Sequence, residues 1–270
     1  MRKLITFFLF VLLQGMGIAQ GSFISMETKT SANFQENKLV VKVSVTNKGD
    51  EPAYSVQVGV DANDKVASTP VKDVLQINET HTIETTFDMD IQTVGRYPLI
   101  VTVDYADLNQ YPFSAISSTY FVYKEDVSPK IHGKIDNVGI SGSGRLALTL
   151  KNLLDTDKKV RVKLIVPREL SVPEPIKDVG LGTKSEKEIR FDIKNFSALA
   201  GSSYQVFAVT GYEDNNKHYT VTIPGIVKIK ERSDFLKTYK WVFISIGAAL
   251  LAVFLGLQFG VRNLPFFQKR

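Results

Sequence analysis

The chain of 270 residues contains no cysteine, which excludes disulfide bonds, thiolate nucleophiles and metal sites built on cysteine. Histidine is nearly as scarce, because His81, His132 and His218 are the only three and lie far apart in the sequence. None of them forms the closely spaced pair that places two imidazoles around a metal ion. His218 falls at a turn position, so we expect a solvated side chain there.

The motifs that usually mark catalysis are also missing. The stretch GISGSG at 139–144 lacks the Lys-Ser or Lys-Thr ending of a phosphate loop and precedes a strand instead of a helix. The stretch DANDK at 61–65 lacks the glycine and the distant glutamate of a calcium loop. No Gly-x-Ser-x-Gly sequence is present. We therefore expect no enzyme: no catalytic residue, no metal and no cofactor.

The amino-terminal end has the layout of a secretory signal peptide. Arg2 and Lys3 precede the apolar stretch LITFFLFVLL, and the small residues Gly17 and Ala19 follow. The pattern predicts cleavage after Ala19, so that residues 1–19 are the signal peptide. An uncleaved anchor or a buried strand is the alternative.

The carboxyl-terminal end predicts a single transmembrane helix. Trp241 to Gly260 is a run of twenty uncharged residues, long enough to cross a bilayer as a helix. We predict a juxtamembrane and transmembrane segment over 233–262, with its core at 241–260, and a cytoplasmic tail over 263–270. Because a signal peptide directs whole domains across the membrane, residues 20–240 are expected outside the cytoplasm or in a lumen.

Four small residues recur at every fourth position of this segment: Ala248, Ala252, Gly256 and Gly260. Such a stripe lies on one helix face and lets a second helix approach closely. We expect this face to pair with a membrane-embedded partner or with a second copy of the chain. Seven of the twenty residues are small, so a stripe arising by chance is the alternative.

Between the two ends the sequence alternates with period two, which predicts half-buried strands. A long internal repeat is also present: YPLIVTVDYADLNQY at 97–111 matches YQVFAVTGYEDNNKH at 204–218. Asn47 matches Asn152 in the same order. These features predict an all-β fold of two tandem immunoglobulin-like β-sandwiches, at 20–125 and 126–232, followed by the C-terminal transmembrane α-helix.

The repeat bears on an acidic cluster made of Asp104, Asp107 and Asn109. These residues could form a metal site or only the tip of a hairpin. The second copy has Gly211 at the position of Asp104, so it lacks the full set of oxygen ligands. Asp and Asn tolerate the dihedral angles of tight turns and bond to their own backbone. We therefore interpret the cluster as a turn.

The stretches LVVKVSVTNKGDEPAYSVQV, LQINETHTIETTFDM and GRYPLIVTVDYADLN share a pattern. An apolar strand ends in Asn-x-Gly, an apolar strand follows, and a later strand starts with Gly-x-Tyr. This pattern resembles the CARDB domains of bacteria and archaea, with the related NEW3 and S-layer-associated modules, over 24–124 and more loosely over 131–230. The resemblance implies an immunoglobulin-like fold in a membrane-anchored protein. Gly95 to Leu99 also resembles the tyrosine corner of immunoglobulin sandwiches.

The two predicted sandwiches have opposite charge. Residues 20–125 hold eight Lys and Arg against fourteen Asp and Glu, whereas residues 127–231 hold seventeen against twelve. Charge opposition of this kind affects association more than fold. The basic sandwich precedes the membrane segment, so it could face anionic headgroups or an acidic partner. A solvated face without a partner is the alternative.

These observations predict a non-enzymatic, single-pass membrane protein that acts as a scaffold or accessory subunit of a membrane or cell-envelope complex. Its sandwich edges and helix would contact the protein partner, and the two sandwiches would lie end to end as a short stalk. One alternative is an adhesion or glycan-binding surface protein, for which the candidate loop aromatics are Tyr111, Phe113 and Tyr120. A second alternative is an accessory subunit of the translocon-associated complex of the endoplasmic reticulum. Nucleic acid is not expected as a partner.

Overall fold

The computed structural model describes residues 23–35, 37–231 and 239–260, with side chains of the last range described as far as residue 254. The predicted signal peptide and cytoplasmic tail lie outside these residues. The chain divides into two compact units, Met1–Ile229 and Lys230–Arg270. In the first unit we call residues 23–126 the first half and residues 127–229 the second half.

The described part of each half consists of strands joined by turns. The first half contains β1 (Met26–Gln35), β2 (Lys38–Asn47), β3 (Ala53–Ala62), β4 (Lys65–Ser68), β5 (Lys72–Leu75), β6 (Thr80–Asp88), β7 (Val94–Ala106) and β8 (Pro112–Tyr123). The second half contains β9 (Ile131–Ile135), β10 (Val138–Ile140), β11 (Ser143–Asn152), β12 (Lys158–Ile165), β13 (Leu170–Ser171), β14 (Ile176–Leu181), β15 (Glu186–Asn195), β16 (Ser203–Asp214) and β17 (Lys217–Ile229).

The alternation in the sequence becomes alternation in burial. On β2, Leu39, Val41, Val43 and Val45 are fully buried, whereas the residues between them are partly or fully exposed. Successive side chains of a strand point to opposite faces, so one face of β2 joins the core and the other meets solvent. The predicted all-β fold is confirmed by strands of this kind throughout both halves.

Both halves use the same strand order. In the first half, β1, β2 and β6 form one sheet, and β8, β7 and β3 form the other together with β4 and β5. In the second half, β9, β11, β15 and β13 form one sheet, and β17, β16, β12 and β14 form the other. Each pair of sheets encloses its own hydrophobic cluster, one around Val58 and Leu99 and the other around Leu148 and Phe191. The arrangement of sheets in each half is thus sandwich-like.

Two buried asparagines close equivalent strand ends. Asn47 ends β2, where its side-chain amide donates to the carbonyls of Glu51 at 2.7 Å and Leu75 at 3.3 Å. Asn152 ends β11, and its side-chain amide donates to the carbonyls of Thr156 at 2.9 Å and Gly182 at 2.8 Å. In both cases the side-chain oxygen accepts the amide two residues on. The match of Asn47 with Asn152 in the sequence therefore reflects the same set of hydrogen bonds.

The predicted tyrosine corner is confirmed. The hydroxyl of Tyr97 donates to the carbonyl of Thr93, four residues upstream, at 2.7 Å. The equivalent Tyr204 uses its hydroxyl differently, because it accepts the amide of Leu199 at 3.1 Å. Both bonds fix the loop before the strand that follows, which is the role of this motif in immunoglobulin sandwiches.

The two halves share a sheet. The start of β17 pairs in parallel with the start of β7, with Lys217 beside Val94 and His218 beside Gly95, and this pairing joins ten strands. Gly95 has φ +144°, and a Cβ there would lie 2.0 Å from the carbonyl oxygen of His218, so only glycine allows the approach. The predicted end-to-end stalk is therefore wrong, because strands of both halves lie side by side.

In the second unit, Lys240–Gly260 forms a helix, α1. The segment predicted to be helical is thus helical, and the Ser245 hydroxyl bonds to the carbonyl of Trp241 at 2.8 Å. Among the residues that the structure describes, no helix is both long enough and apolar enough to span a membrane. Ala248 and Ala252 are exposed on α1, whereas the surroundings of Gly256 and Gly260 fall outside the described side chains, so the pairing face stays a prediction.

Candidate functional site at the junction of the two halves

Two buried polar side chains, Ser114 and Glu169, meet where β8 contacts the turn before β13, and we call this contact the junction. Glu169, in that turn, is only 2% exposed. Its carboxylate accepts the Ser114 amide at 2.8 Å and the Ser114 hydroxyl at 2.7 Å. The Ser114 hydroxyl oxygen in turn accepts the amide of Arg168 at 2.8 Å. A buried carboxylate is costly unless it is hydrogen-bonded, so these bonds explain how Glu169 is accommodated.

Asp104 lies beside the junction and forms an ion pair with Arg168 at 2.7 Å. One of its two carboxylate oxygens, Oδ1, is buried without a hydrogen-bond partner. Burial raises the pKa of Asp104, the Arg168 guanidinium opposes the shift, and the nearby Glu169 carboxylate adds to it. The sequence grouped Asp104 with Asp107, but the structure assigns the two carboxylates to different contacts.

Asp107 belongs to the turn between β7 and β8. Its carboxylate accepts the amides of Asn109 and Tyr111, both at 2.8 Å, as expected for an Asp that closes a turn on its own backbone. In the second half, Asp214 is instead paired with Lys158 at 2.6 Å, and both side chains are 15% exposed. Across the described residues, no group of three His, Asp or Glu side chains is placed to hold a metal ion.

The three candidate aromatics do not form one cluster. Tyr111 and Phe113 have ring centroids 5.2 Å apart, and the Tyr111 hydroxyl donates to the carbonyl of Ser197 in the second half. Tyr120 lies elsewhere on β8, under the Arg96 guanidinium at 4.3 Å. Phe113 and Tyr120 are separated by an odd number of positions, so they point to opposite faces of the strand.

A further ring stacks on Phe113 from the neighbouring strand. Tyr105 is paired with Phe113 in the register of β7 and β8, and the two ring centroids are 5.7 Å apart. Burial raises the pKa of Tyr105 to about 12, with a smaller contribution from the negative charge of Glu169. The Tyr105 hydroxyl therefore stays protonated at neutral pH and can serve the junction only as a neutral polar group.

The opposite charges of the two halves meet each other. Lys163 of β12 reaches Asp61 at 3.3 Å and Asp64 at 2.9 Å, both in the hairpin between β3 and β4. Lys217 of β17 pairs with Glu125, which follows β8. Part of the charge opposition that predicted an external acidic partner is therefore used within the chain.

His218 is held between the halves and is not the solvated turn residue that the sequence predicted. Its ring stacks on Tyr97 with centroids 4.3 Å apart, and its Nδ1 lies 2.6 Å from a carboxylate oxygen of Glu213. Beside it, the Thr220 hydroxyl donates to the carbonyl of Arg96 at 2.9 Å. The His218 side chain thus stabilises the parallel pairing of β7 and β17.

Two cavities adjoin these contacts. A cleft of about 1000 Å³ lies between the β3–β4 hairpin and the outer face of β12, β14 and β16, with Lys163 and Asp64 in its wall. A smaller cavity of about 370 Å³ lies between the start of β1, part of β8 and the start of β16, and Glu169 borders it. Lys163 pairs with Asp64 at the cleft and Ser114 bonds to Glu169 at the smaller cavity, so both places suit a fixed structural contact between the halves.

Sequence reasoning missed Glu169 and Ser114. They are 55 positions apart, and neither belongs to a motif. The only available signal was a glutamate among apolar residues in PRELSV, which an exposed turn would also explain. The pairing depends on how the halves meet, and local patterns carry no information on that.

Comparison with solved structures gives distant likenesses. Native Escherichia coli alpha-2-macroglobulin is 13% identical, with 76% of this chain and 17% of that chain covered and a TM-score of 0.31. A Salmonella alpha-2-macroglobulin mutant is 12% identical, with 76% and 16% covered and a TM-score of 0.31. Red sea bream transglutaminase is 10% identical, with 77% and 31% covered and a TM-score of 0.26. This chain thus spans less than a third of the length of these proteins.

None of the curated proteins compared matches the chain. A family model does match part of it, over the strands from β1 to β7 and the start of the following turn. The predicted resemblance is thereby confirmed for most of the first half, while the looser resemblance of residues 131–230 stays a prediction. Residues 23–108 of this chain match the CARDB family.

Proposed function

We propose that this chain is a non-enzymatic scaffold or accessory subunit that presents two immunoglobulin-like sandwiches as one rigid binding unit outside the cytoplasm. The CARDB match over residues 23–108 supports an extracellular scaffold or adhesion role. Fold alone does not define function, so the proposal rests on the site as well.

The junction is the observation that carries the proposal. Glu169 and Ser114 are both less than a tenth exposed, and they form a hydrogen bond between the two halves. A second contact between the halves is the parallel pairing of β7 with β17. A loose pair of domains would leave such groups in water, because burying them costs free energy unless their geometry is kept. A fixed arrangement suits a protein that holds a partner in place.

Membrane attachment is a separate part of the proposal. It is supported by the uncharged sequence from Trp241 to Gly260 and by the helix α1 over the same residues. Extraction at alkaline pH separates embedded from peripheral proteins. The full chain should remain with the membrane pellet, whereas a chain ending at Glu231 should be released, and release of both would contradict the attachment.

The scaffold role is tested by purifying the tagged full chain in mild detergent and identifying by mass spectrometry the proteins that accompany it. A second purification uses Glu169→Ala, which removes the acceptor for Ser114. If both halves act as one unit, a partner should co-purify with the natural chain and be at least about tenfold depleted with the variant.

Glu188→Ala is the matched control. Glu188 lies on β15 in the second half, pairs with Arg190, and its side chain is 48% exposed. It is also a glutamate, and its ion pair lies within the second half, so partner recovery with this variant should equal that of the natural chain. Absence of any specific partner from all three preparations would overturn the scaffold proposal.

A further inference from the structure

The two halves differ at the outer edge of their last long strand. In the second half, β10 runs parallel to the end of β17 and pairs with it from Val138 to Ile140. In the first half, β1 stays paired with β2 along its whole length. Over the described ranges, β8 is hydrogen-bonded as a strand to β7 alone, and Phe34 of β1 packs on Phe121 and Tyr123 without such pairing. By the register of the two hairpins, Val227–Ile229 corresponds to Phe121–Tyr123, and no strand is hydrogen-bonded to that end of β8.

The backbone of β8 is oriented to accept such a strand. The Ser114 amide points away from β7, because it donates to Glu169. In an antiparallel pair, successive residues turn their backbone groups alternately toward the partner strand and away from it. Every second residue from Ile116 to Val122 therefore directs its N–H and C=O groups to the open side.

This edge also lacks the features that usually protect an edge strand. Charged residues and prolines on an edge normally prevent another strand from pairing with it. β8 begins with Pro112, but from Phe113 to Tyr123 it contains neither. The edge strand β14 carries Lys177 and Asp178, and the edge strand β4 begins at Lys65. The absence of protection on β8 is consistent with an edge that is covered when the protein functions.

A cavity lies beside the start of the edge. The cavity of about 370 Å³ is lined by Phe113–Ser117 of β8, by the start of β1 and by Ser203–Gln205 of β16. The edge continues directly from the junction, where the Glu169 carboxylate accepts the Ser114 amide as the carbonyl of an added strand would. An incoming strand would extend a contact that the second half already begins.

We propose that the outer edge of β8, from Ile116 to Val122, binds an extended peptide of a partner protein as an additional strand. The chemistry of the peptide follows from β10: an uncharged segment with β-branched residues, running parallel to β8. Backbone hydrogen bonds supply affinity in this mode, and side-chain fit supplies specificity. This inference deepens the proposed scaffold role and rests on it, because it names the surface that holds the partner.

The test uses the full chain in detergent and a short probe peptide in which valine and threonine alternate around the β10 sequence Val-Gly-Ile. Hydrogen exchange is followed amide by amide. Without peptide, the outward amides from Ile116 to Val122 should exchange at least about tenfold faster than the alternate amides that bond to β7. Saturating peptide should slow the outward amides to the rate of their neighbours, and failure to do so overturns the inference.

Two matched variants separate backbone pairing from side-chain contact. Tyr120→Pro removes one outward N–H and places a ring on the open side, without loss of a bond to β7. Tyr120→Ala removes the same side chain but keeps the amide. Peptide affinity should fall at least about tenfold in the proline variant and less than about threefold in the alanine variant. Equal losses would overturn the proposed mode, and circular dichroism checks that both variants fold.

Further outcomes also support or overturn the inference. A peptide methylated on alternate backbone nitrogens should bind at least about tenfold more weakly, and equal binding would overturn the inference. Slow outward amides that depend on protein concentration without peptide would show a second copy as the occupant, which overturns the peptide proposal. If a partner co-purifies equally with Tyr120→Pro, the edge inference fails while the scaffold proposal stands. If no partner co-purifies at all, the scaffold proposal fails, and the peptide measurement still tests the edge.

Discussion

The two halves of the first unit have the same strand order but different surfaces. Their strand ends are closed by Asn47 and Asn152 with equivalent hydrogen bonds, and a tyrosine fixes the same loop in each. Their solvent-facing residues differ in net charge, in the geometry of the hairpin tip and in whether the last strand is covered. The groups that close the backbone are thus shared, whereas the exposed groups have diverged.

Some of the exposed groups that differ between the halves contact the other half. The acidic Asp61 and Asp64 of the first half receive the basic Lys163 of the second. The hairpin tip of the second half, with Lys217 and His218, packs against Glu125 and Gly95. A surface that would be free in an isolated sandwich has become an internal contact. The comparison shows that the two halves use part of their charged surface to bind each other.

Among the substitutions considered, Glu169→Ala should lower the stability most, because it breaks a buried contact between the two halves. The substitution leaves the buried amide and hydroxyl of Ser114 without an acceptor, so we expect the free energy of unfolding to fall by roughly 3–4 kcal/mol. Urea unfolding of residues 20–232, which contain both hydrophobic clusters, measures the change. The natural fragment should unfold in one transition and the variant in two. One unchanged transition would show that Glu169 does not couple the halves.

Asn47→Ala and Asn152→Ala should have the next largest effects and should be equal. Each substitution removes three hydrogen bonds at a buried strand end, so we expect each to lower the free energy of unfolding by roughly 2–3 kcal/mol. Asn109→Ala, at an exposed turn position, should change it by less than about 0.5 kcal/mol. Urea unfolding measures all three. A difference above about 1 kcal/mol between the two buried sites would contradict their equivalence.

Tyr97→Phe and Tyr204→Phe should each cost about 1 kcal/mol, for different reasons. The first removes a donor to the carbonyl of Thr93, and the second removes an acceptor of the Leu199 amide. Tyr120→Phe keeps the ring under Arg96 and should change the stability by less than about 0.5 kcal/mol. Thermal unfolding of the three variants ranks their losses of stability. A loss for Tyr120→Phe as large as for the other two would argue against a tyrosine corner that stabilises both halves.

Local chemistry made much of the fold predictable from sequence. Period-two alternation located the strands, the repeat predicted equivalent strand ends, and Gly95 to Leu99 predicted the tyrosine corner. The same rule of alternation could have separated Phe113 from Tyr120, since an odd spacing puts two residues on opposite faces. Nearness in sequence therefore does not place Phe113 and Tyr120 on one face.

The side-by-side arrangement was not predictable in this way. It depends on Gly95 accepting the backbone of His218 and on Glu169 meeting Ser114, and these pairs are separated by more than fifty positions. The strand β10 was also missed, because a three-residue strand has no measurable period. Contacts between halves and very short strands are set by tertiary packing, which local patterns do not encode.

The smallest expected effect concerns the pH dependence of the junction and distinguishes Asp104 from Gly211, its counterpart in the second half. Burial raises the pKa of Asp104, so the folded chain holds its proton more tightly than the unfolded chain does. The carboxyl therefore lowers stability as pH rises from the ordinary carboxyl pKa through the raised value, and the penalty is absent at lower pH. Asp104→Asn cannot titrate, so its stability relative to the natural chain should increase as pH rises through that interval. Unfolding measured from acidic to neutral pH tests the sign, and a relative stability that decreases with pH would mean that the Arg168 ion pair outweighs burial.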